Sequence, residues 1–201
     1  LRSIADFHLN GDARAVAQMR SALDTLYAGG DSFSVLGQDT LGILDILQKL
    51  DPTADPESRF PASAFGLALQ QVAMLIKADV GLEVAAIDLG GWDTHFAQGS
   101  TEGQMANLIR DLGDGLAAFH AAMRDHLHKL TVVTMSEFGR RASENGSLGT
   151  DHGHGSMMMV LGGNVLGGQV HGQWPGLESG QLVGPGDLAV TTDYRDVLSE
   201  V

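Results

Sequence analysis

Three short segments of this 201-residue chain gather Asp, Glu and His beside glycine. In Gly90-Gly91-Trp92-Asp93-Thr94-His95 the Asp and the His lie two residues apart. In extended backbone that spacing sends both side chains to one side, as two ligands of one ion require. Carboxylate with imidazole suits Zn, Mn or Fe, whereas carboxylate alone suits Mg or Ca. A second segment runs Gly149-Thr150-Asp151-His152-Gly153-His154-Gly155-Ser156. Asp151 and His152 are adjacent, so they point apart unless the backbone turns. They could serve two ions, or one ion and one hydrogen bond that orients a ligand. Gly149, Gly153 and Gly155 permit such a turn. His154 then follows as a third ligand, or as a donor fixing another. Glu137, in Ser136-Glu137-Phe138-Gly139-Arg140, adds a carboxylate. The expectation is a divalent metal site drawn from Asp93, His95, Glu137, Asp151, His152 and His154, with Zn, Mn, Ca and Mg left open.

Other residues weigh differently. Ser136 has no Gly-x-Ser-x-Gly elbow around it and reads as a loop hydrogen-bonding residue at a substrate site. Arg140 and Arg141 could hold an anionic substrate group, or could form a surface ion pair. Trp92 reads as a substrate wall or as core, with core slightly favoured. His120, His126 and His128 read as surface residues of a long helix, His8 carries no signal, and Met157 to Met159 read as core filler. Asp and His beside Gly are also ordinary turn residues. What favours a site is that three such clusters each lie beside an expected strand.

These loops need elements to position them. Ala13, Val16, Met19, Ala22, Leu23 and Leu26 recur at helical spacing until Gly29-Gly30. Leu41, Leu44, Ile46 and Leu47 mark a second, short helix, and turn residues follow over Asp51–Pro56. Phe65 to Ile76 suggests a third helix, apolar nearly all round and so expected to be well buried. From Gly81 the pattern changes. Leu82 to Leu89 reads as a strand, Glu102 to His128 as a long amphipathic helix, and Thr131–Met135 and Met157–Leu161 as two more strands. Tyr194, Val197, Leu198 and Val201 suggest a closing helix. Strand, long helix, strand suggests a right-handed βαβ unit with a parallel sheet. Ligands of such sheets bind beyond the carboxyl ends of the strands, where Gly90–His95 and Ser136–Arg140 fall, while the Asp151–His154 cluster lies on the loop leading into the third strand. The expected organisation is a helical segment, 1–80, joined in one domain to an α/β core, 81–201, that carries the site.

Composition bounds the partners. Lys plus Arg number 12 against 25 for Asp plus Glu, a net charge of −13 with His neutral. Such a chain repels nucleic acid and anionic lipid, which need clustered positive charge. There is no cysteine, which excludes disulfides, thiolate ligands and a Cys nucleophile. No apolar run approaches the roughly 18 residues of a membrane span, and no signal peptide is visible. Leu1 in place of Met, and a helical pattern running into Val201, read as the cut ends of a fragment. Oligomeric state is not legible.

The motifs together resemble a known family. Gly90-Gly91-Trp92-Asp93-Thr94-His95 with Gln98, Val133-Thr134-Met135-Ser136-Glu137-Phe138-Gly139-Arg140, Asn145-Gly146, and Gly149-Thr150-Asp151-His152-Gly153 occur in order. Gly167-Gly168, Gly172-Gln173-Trp174-Pro175-Gly176-Leu177 and Thr191-Thr192-Asp193-Tyr194-Arg195 follow. From about Gly81 onward this is similar to the bacterial family named domain of unknown function 1501, and before Gly81 only loosely so. The resemblance implies the alkaline phosphatase and sulfatase superfamily: α/β, with a mainly parallel sheet sandwiched by helices, incomplete in this fragment. It implies metal-dependent hydrolysis of phosphate or sulfate esters, hence a small anionic ester as substrate. It also suggests the periplasm or cell envelope. Asp93 and His95 match the superfamily's first ligand pair. Ser136-Glu137-Phe138-Gly139 resembles its Ser-Asp-His-Gly strand end, with Glu for Asp and Phe for His. Asp151, His152 and His154 are the residues that could replace what this departure removes. The Arg-Gly-Gly-x-Asp-Gly stretch, where the superfamily keeps its nucleophile, does not occur, so no catalytic nucleophile is assigned. The alternative is a non-catalytic relative serving as a binding or assembly partner.

Overall fold

The computed structural model describes residues 4–50 and 59–201. The turns expected over Asp51–Pro56 lie outside the described residues. The chain divides into two compact units, Leu1–Asp88 and Leu89–Val201. The fold is mixed α/β, with five α-helices and two small antiparallel sheets among the described residues.

The first unit holds α1 (Ala13–Leu26), α2 (Ser32–Leu47) and α3 (Ala64–Lys77). Each begins at a residue whose side chain satisfies amide groups that the first turn leaves unpaired. Asp12 accepts from the Ala15 amide, Asp31 from Phe33 and Ser34, and Ser63 from Gly66. The Asp31 cap starts α2 nine residues before the Leu41 at which the apolar spacing becomes visible. Arg20 on α1 pairs bidentately with Asp45 on α2, at 2.5 and 2.7 Å. Leu41, Phe65, Leu69 and Ala73 are buried. Helix α3 is buried on one face only, for Leu67 is 52% exposed.

The second unit is built on α4 (Gln104–Ala122), whose Leu116 and Phe119 are buried together with Met123 at its C-terminus. The helix ends before the expected His128. His126 and Lys129 there bond back three residues, to the carbonyls of Met123 and His126, and the chain tightens into a 3-10 turn at Leu127–Lys129. Strand β1 (Thr131–Val133) follows, then β2 (Gly139–Arg140), β3 (His152–Gly153), β4 (Val160–Gly162) and the short α5 (Tyr194–Ser199), capped by Asp193. No helix among the described residues is long and apolar enough to cross a membrane.

The strands pair differently from the expected βαβ unit. Thr131 faces Gly162 and Val133 faces Val160, so β1 and β4 run antiparallel. Leu82–Leu89, expected as a strand, carries no ladder among the described residues, and Val84 is 83% exposed. An apolar run shows that a segment suits a pleated surface, but a strand exists only where a neighbour satisfies its amide and carbonyl groups. For β1 that neighbour is β4. The excursion between them, residues 134–159, carries β2 and β3, which pair antiparallel with Gly139 facing Gly153 and Arg140 facing His152. This pairing lays two of the three polar segments side by side.

Candidate metal centre

The remaining segment, around Asp93, is joined to the other two through main chain and side chains. The Ala97 and Gln98 amides donate to the carbonyls of Ser147 and Leu148. The hydroxyls of the buried Thr94 and of Thr150 both donate to Gln98 Oε1, each at 2.8 Å. Arg140 donates from one terminal nitrogen to the Thr150 carbonyl and from the other to the Trp92 carbonyl. Gly149 packs where a Cβ would strike the backbone of Thr94 and His95, and a Cβ on Gly153 would lie 2.7 Å from the Arg140 carbonyl carbon. Neither glycine has positive φ. Their role is close approach of two backbones rather than the turn that the sequence suggested.

This framework brings Asp93, His95 and His152 together, with one donor atom from each within 4.8 Å of the others. His152 Nε2 lies 2.7 Å from Asp93 Oδ1, and His95 Nε2 lies 3.0 Å from the same oxygen. Ligands about 2.0–2.1 Å from a tetrahedral ion stand roughly 3.3 Å apart, so an opening of a few tenths of an ångström would admit one. The two imidazoles stack with centroids 4.7 Å apart, and the Phe138 ring stacks on His152 at 3.8 Å. The Asp93 carboxyl is held below its usual range of about 3.8, first by the hydrogen bond from His152 and then by the charges of His95, His152 and Arg140. An anionic carboxylate with two imidazoles is a donor set that Zn, Mn or Fe accepts.

Asp151 stands behind this cluster. Its Oδ1 lies 3.3 Å from His95 Nδ1, the ring nitrogen turned away from Asp93. Asn145 Nδ2 donates to that oxygen at 3.0 Å and also to the His95 carbonyl at 3.0 Å. Arg141 donates to Asp151 Oδ2 at 3.3 Å. The Asn145 bond, then the His95 bond and the Arg141 charge, hold the Asp151 carboxyl below its usual range. A carboxylate on the far nitrogen fixes which ring nitrogen is free to ligate and raises its basicity.

The remaining expected residues lie elsewhere. His154 Nδ1 meets Asp187 Oδ2 at 2.5 Å, and Asp187 is almost wholly buried beside Arg141. Glu137 is exposed and is not one of the three converging residues. Ser136 donates to the Phe138 carbonyl at 2.6 Å. It lines, with Arg140, a cleft of about 440 Å³ next to the cluster. Asn145, Gln98 and Asp187 carry roles that residue type did not announce. Asn145-Gly146 and Gly184-Pro185-Gly186-Asp187 have ordinary turn composition, and only the folded chain reveals what their side chains reach.

A mixed α/β unit with an Asp-His-His cluster on long loops is the class that fold and geometry define. The family model described as protein of unknown function (DUF1501) matches residues 49–198, and the chain belongs to this family. The match begins well before Gly81, so the whole of α3 is family sequence as well. Neither the curated proteins nor the solved structures give a match.

Proposed function

We propose that Asp93, His95 and His152 hold one divalent cation, and that the chain is a metal-dependent hydrolase of phosphate or sulfate esters. The observation that carries the reading is the convergence of two imidazole nitrogens on one carboxylate oxygen, with Asp151 behind His95. Three protein ligands leave a fourth position open, which is the arrangement of catalytic sites rather than of closed structural ones. A bound ion supplies Lewis-acid stabilisation of charge developing on a transferred phosphoryl or sulfuryl group. The chain's own residues do the positioning. Asp151 and Asn145 orient His95, Phe138 stacks on His152, and Arg140 brings a positive charge beside Asp93. Two of the five Arg140 N–H donors are held by carbonyls, which leaves three for an anionic group.

The second reading, a non-catalytic binding or assembly relative, is favoured by the hydroxyls around the cluster. Thr94 and Thr150 are bound to Gln98, and Ser136 to a carbonyl, so none of these is poised as a nucleophile. Turnover of an aryl phosphate and an aryl sulfate separates the two. The hydrolase reading expects turnover that is lost with chelator, restored by Zn or Mn, and abolished in His152→Ala. Turnover absent with every divalent ion supports the binding relative.

A further inference from the structure

The cleft beside the cluster has mainly apolar walls. Trp92, Phe138 and Trp174 contribute aromatic rings, Met105 and Met157 thioethers, and Leu188 an aliphatic chain. Its volume of about 440 Å³ falls in the range of small-molecule sites. It is continuous with the Asp-His-His cluster in two ways. Phe138 lines it and stacks on His152, while Trp92 lines it and immediately precedes Asp93. Its polar lining is Ser136, which donates to a carbonyl, Ser156, and Arg140, which gives two of its five donors to carbonyls. A polyhydroxylated ligand would need more convergent hydrogen-bonding side chains than Ser136, Ser156 and Arg140 supply. An aromatic ring would find ring-edge and sulfur contacts on each side.

From these walls we infer that the cleft binds the organic half of the substrate, and that this half is an aryl group: the chain acts on aryl esters, with the ring between Trp92, Phe138 and Trp174 and the anionic group toward Asp93, His95 and His152. The inference rests on the ester reading for its second half only. The aryl preference stands on the cleft itself.

Trp92 and Trp174 are the chain's two tryptophans, so intrinsic indole fluorescence reports from this cleft directly. The test titrates the full chain with phenylphosphonate and with methylphosphonate, with Zn present and again with chelator. Burying one ring should favour the phenyl compound by about tenfold or more. Trp174 is 72% exposed, so Trp174→Ala should fold normally. That variant should lose most of the preference, and Trp174→Phe should keep it. Asp93→Ala should weaken both ligands equally and leave their ratio intact. Equal affinity for the two phosphonates in the wild-type chain, no binding of either, or a preference indifferent to Trp174→Ala would overturn the aryl cleft. A preference that survives chelator and Asp93→Ala with both affinities unchanged supports the cleft while removing the metal reading.

Discussion

Asp93 Oδ1 faces two imidazole nitrogens at 2.7 and 3.0 Å, and the residues around it differ sharply in what they add. Asp151 acts through His95, so its removal should weaken the site without erasing it. Asp151→Asn is expected to lower zinc affinity about 10–100-fold in a competition titration, the usual cost of losing a ligand's orienting partner. Glu137→Gln should leave the same affinity within about twofold, because Glu137 does not join the cluster. An equal loss in both variants would place Glu137 at the ion. Asp93, His95 and His152 are three of the six candidates that residue type and spacing named. The division of labour between Asp151 and His152 was not legible. Two adjacent residues point apart, and which one reaches the cluster depends on the β2–β3 pairing that sets Arg140 opposite His152.

At the scale of elements, the helices of the first unit follow from apolar spacing and caps, both local. Strand pairing is not local, and the partner of β1 lies beyond a 26-residue excursion, residues 134–159. Alternation within β1 says nothing about whether its neighbour runs parallel or antiparallel. The excursion depends on close approach at Gly153. Gly153→Ala should force β2 and β3 apart and cost about 1–3 kcal/mol in chemical denaturation, as overpacking does. Its zinc affinity should fall as well, since His152 precedes that glycine. Unchanged stability would mean the two backbones are not held together there.

The helical caps and cross-helix pair also set a pH dependence. Asp31 is held below its ordinary 3.8 by its bonds from Ser34, and Asp45 by its bonds from Arg20. A carboxyl depressed in the folded state contributes stability that is fully present above its unfolded value and is lost as pH falls through the folded one. Helical circular dichroism should therefore hold from pH 7 to about 4 and decline below 3.8. In Asp45→Asn the acid decline should be shallower, because one of the two carboxyls no longer titrates. An acid decline of the same steepness in that variant would deny the Arg20–Asp45 pair its share.

For the whole molecule, a net charge of −13 favours cations and disfavours polyanions such as nucleic acid. The family assignment was legible because its motifs are long and ordered, and the match over residues 49–198 extends it back through the whole of α3. The mainly parallel sheet expected from the resemblance is a property of many strands together. Among the described residues the ladders are two-stranded and antiparallel, so what the chain displays is mixed α/β. Metal content tests most directly the proposal that Asp93, His95 and His152 hold one ion. Equilibrium dialysis of the purified chain against Zn or Mn, followed by elemental analysis, should give about one tightly held ion per chain for the wild type and none for Asp93→Ala or His152→Ala, with Glu137→Gln unchanged. No retained ion in the wild type, or full retention in the two alanine variants, would contradict it.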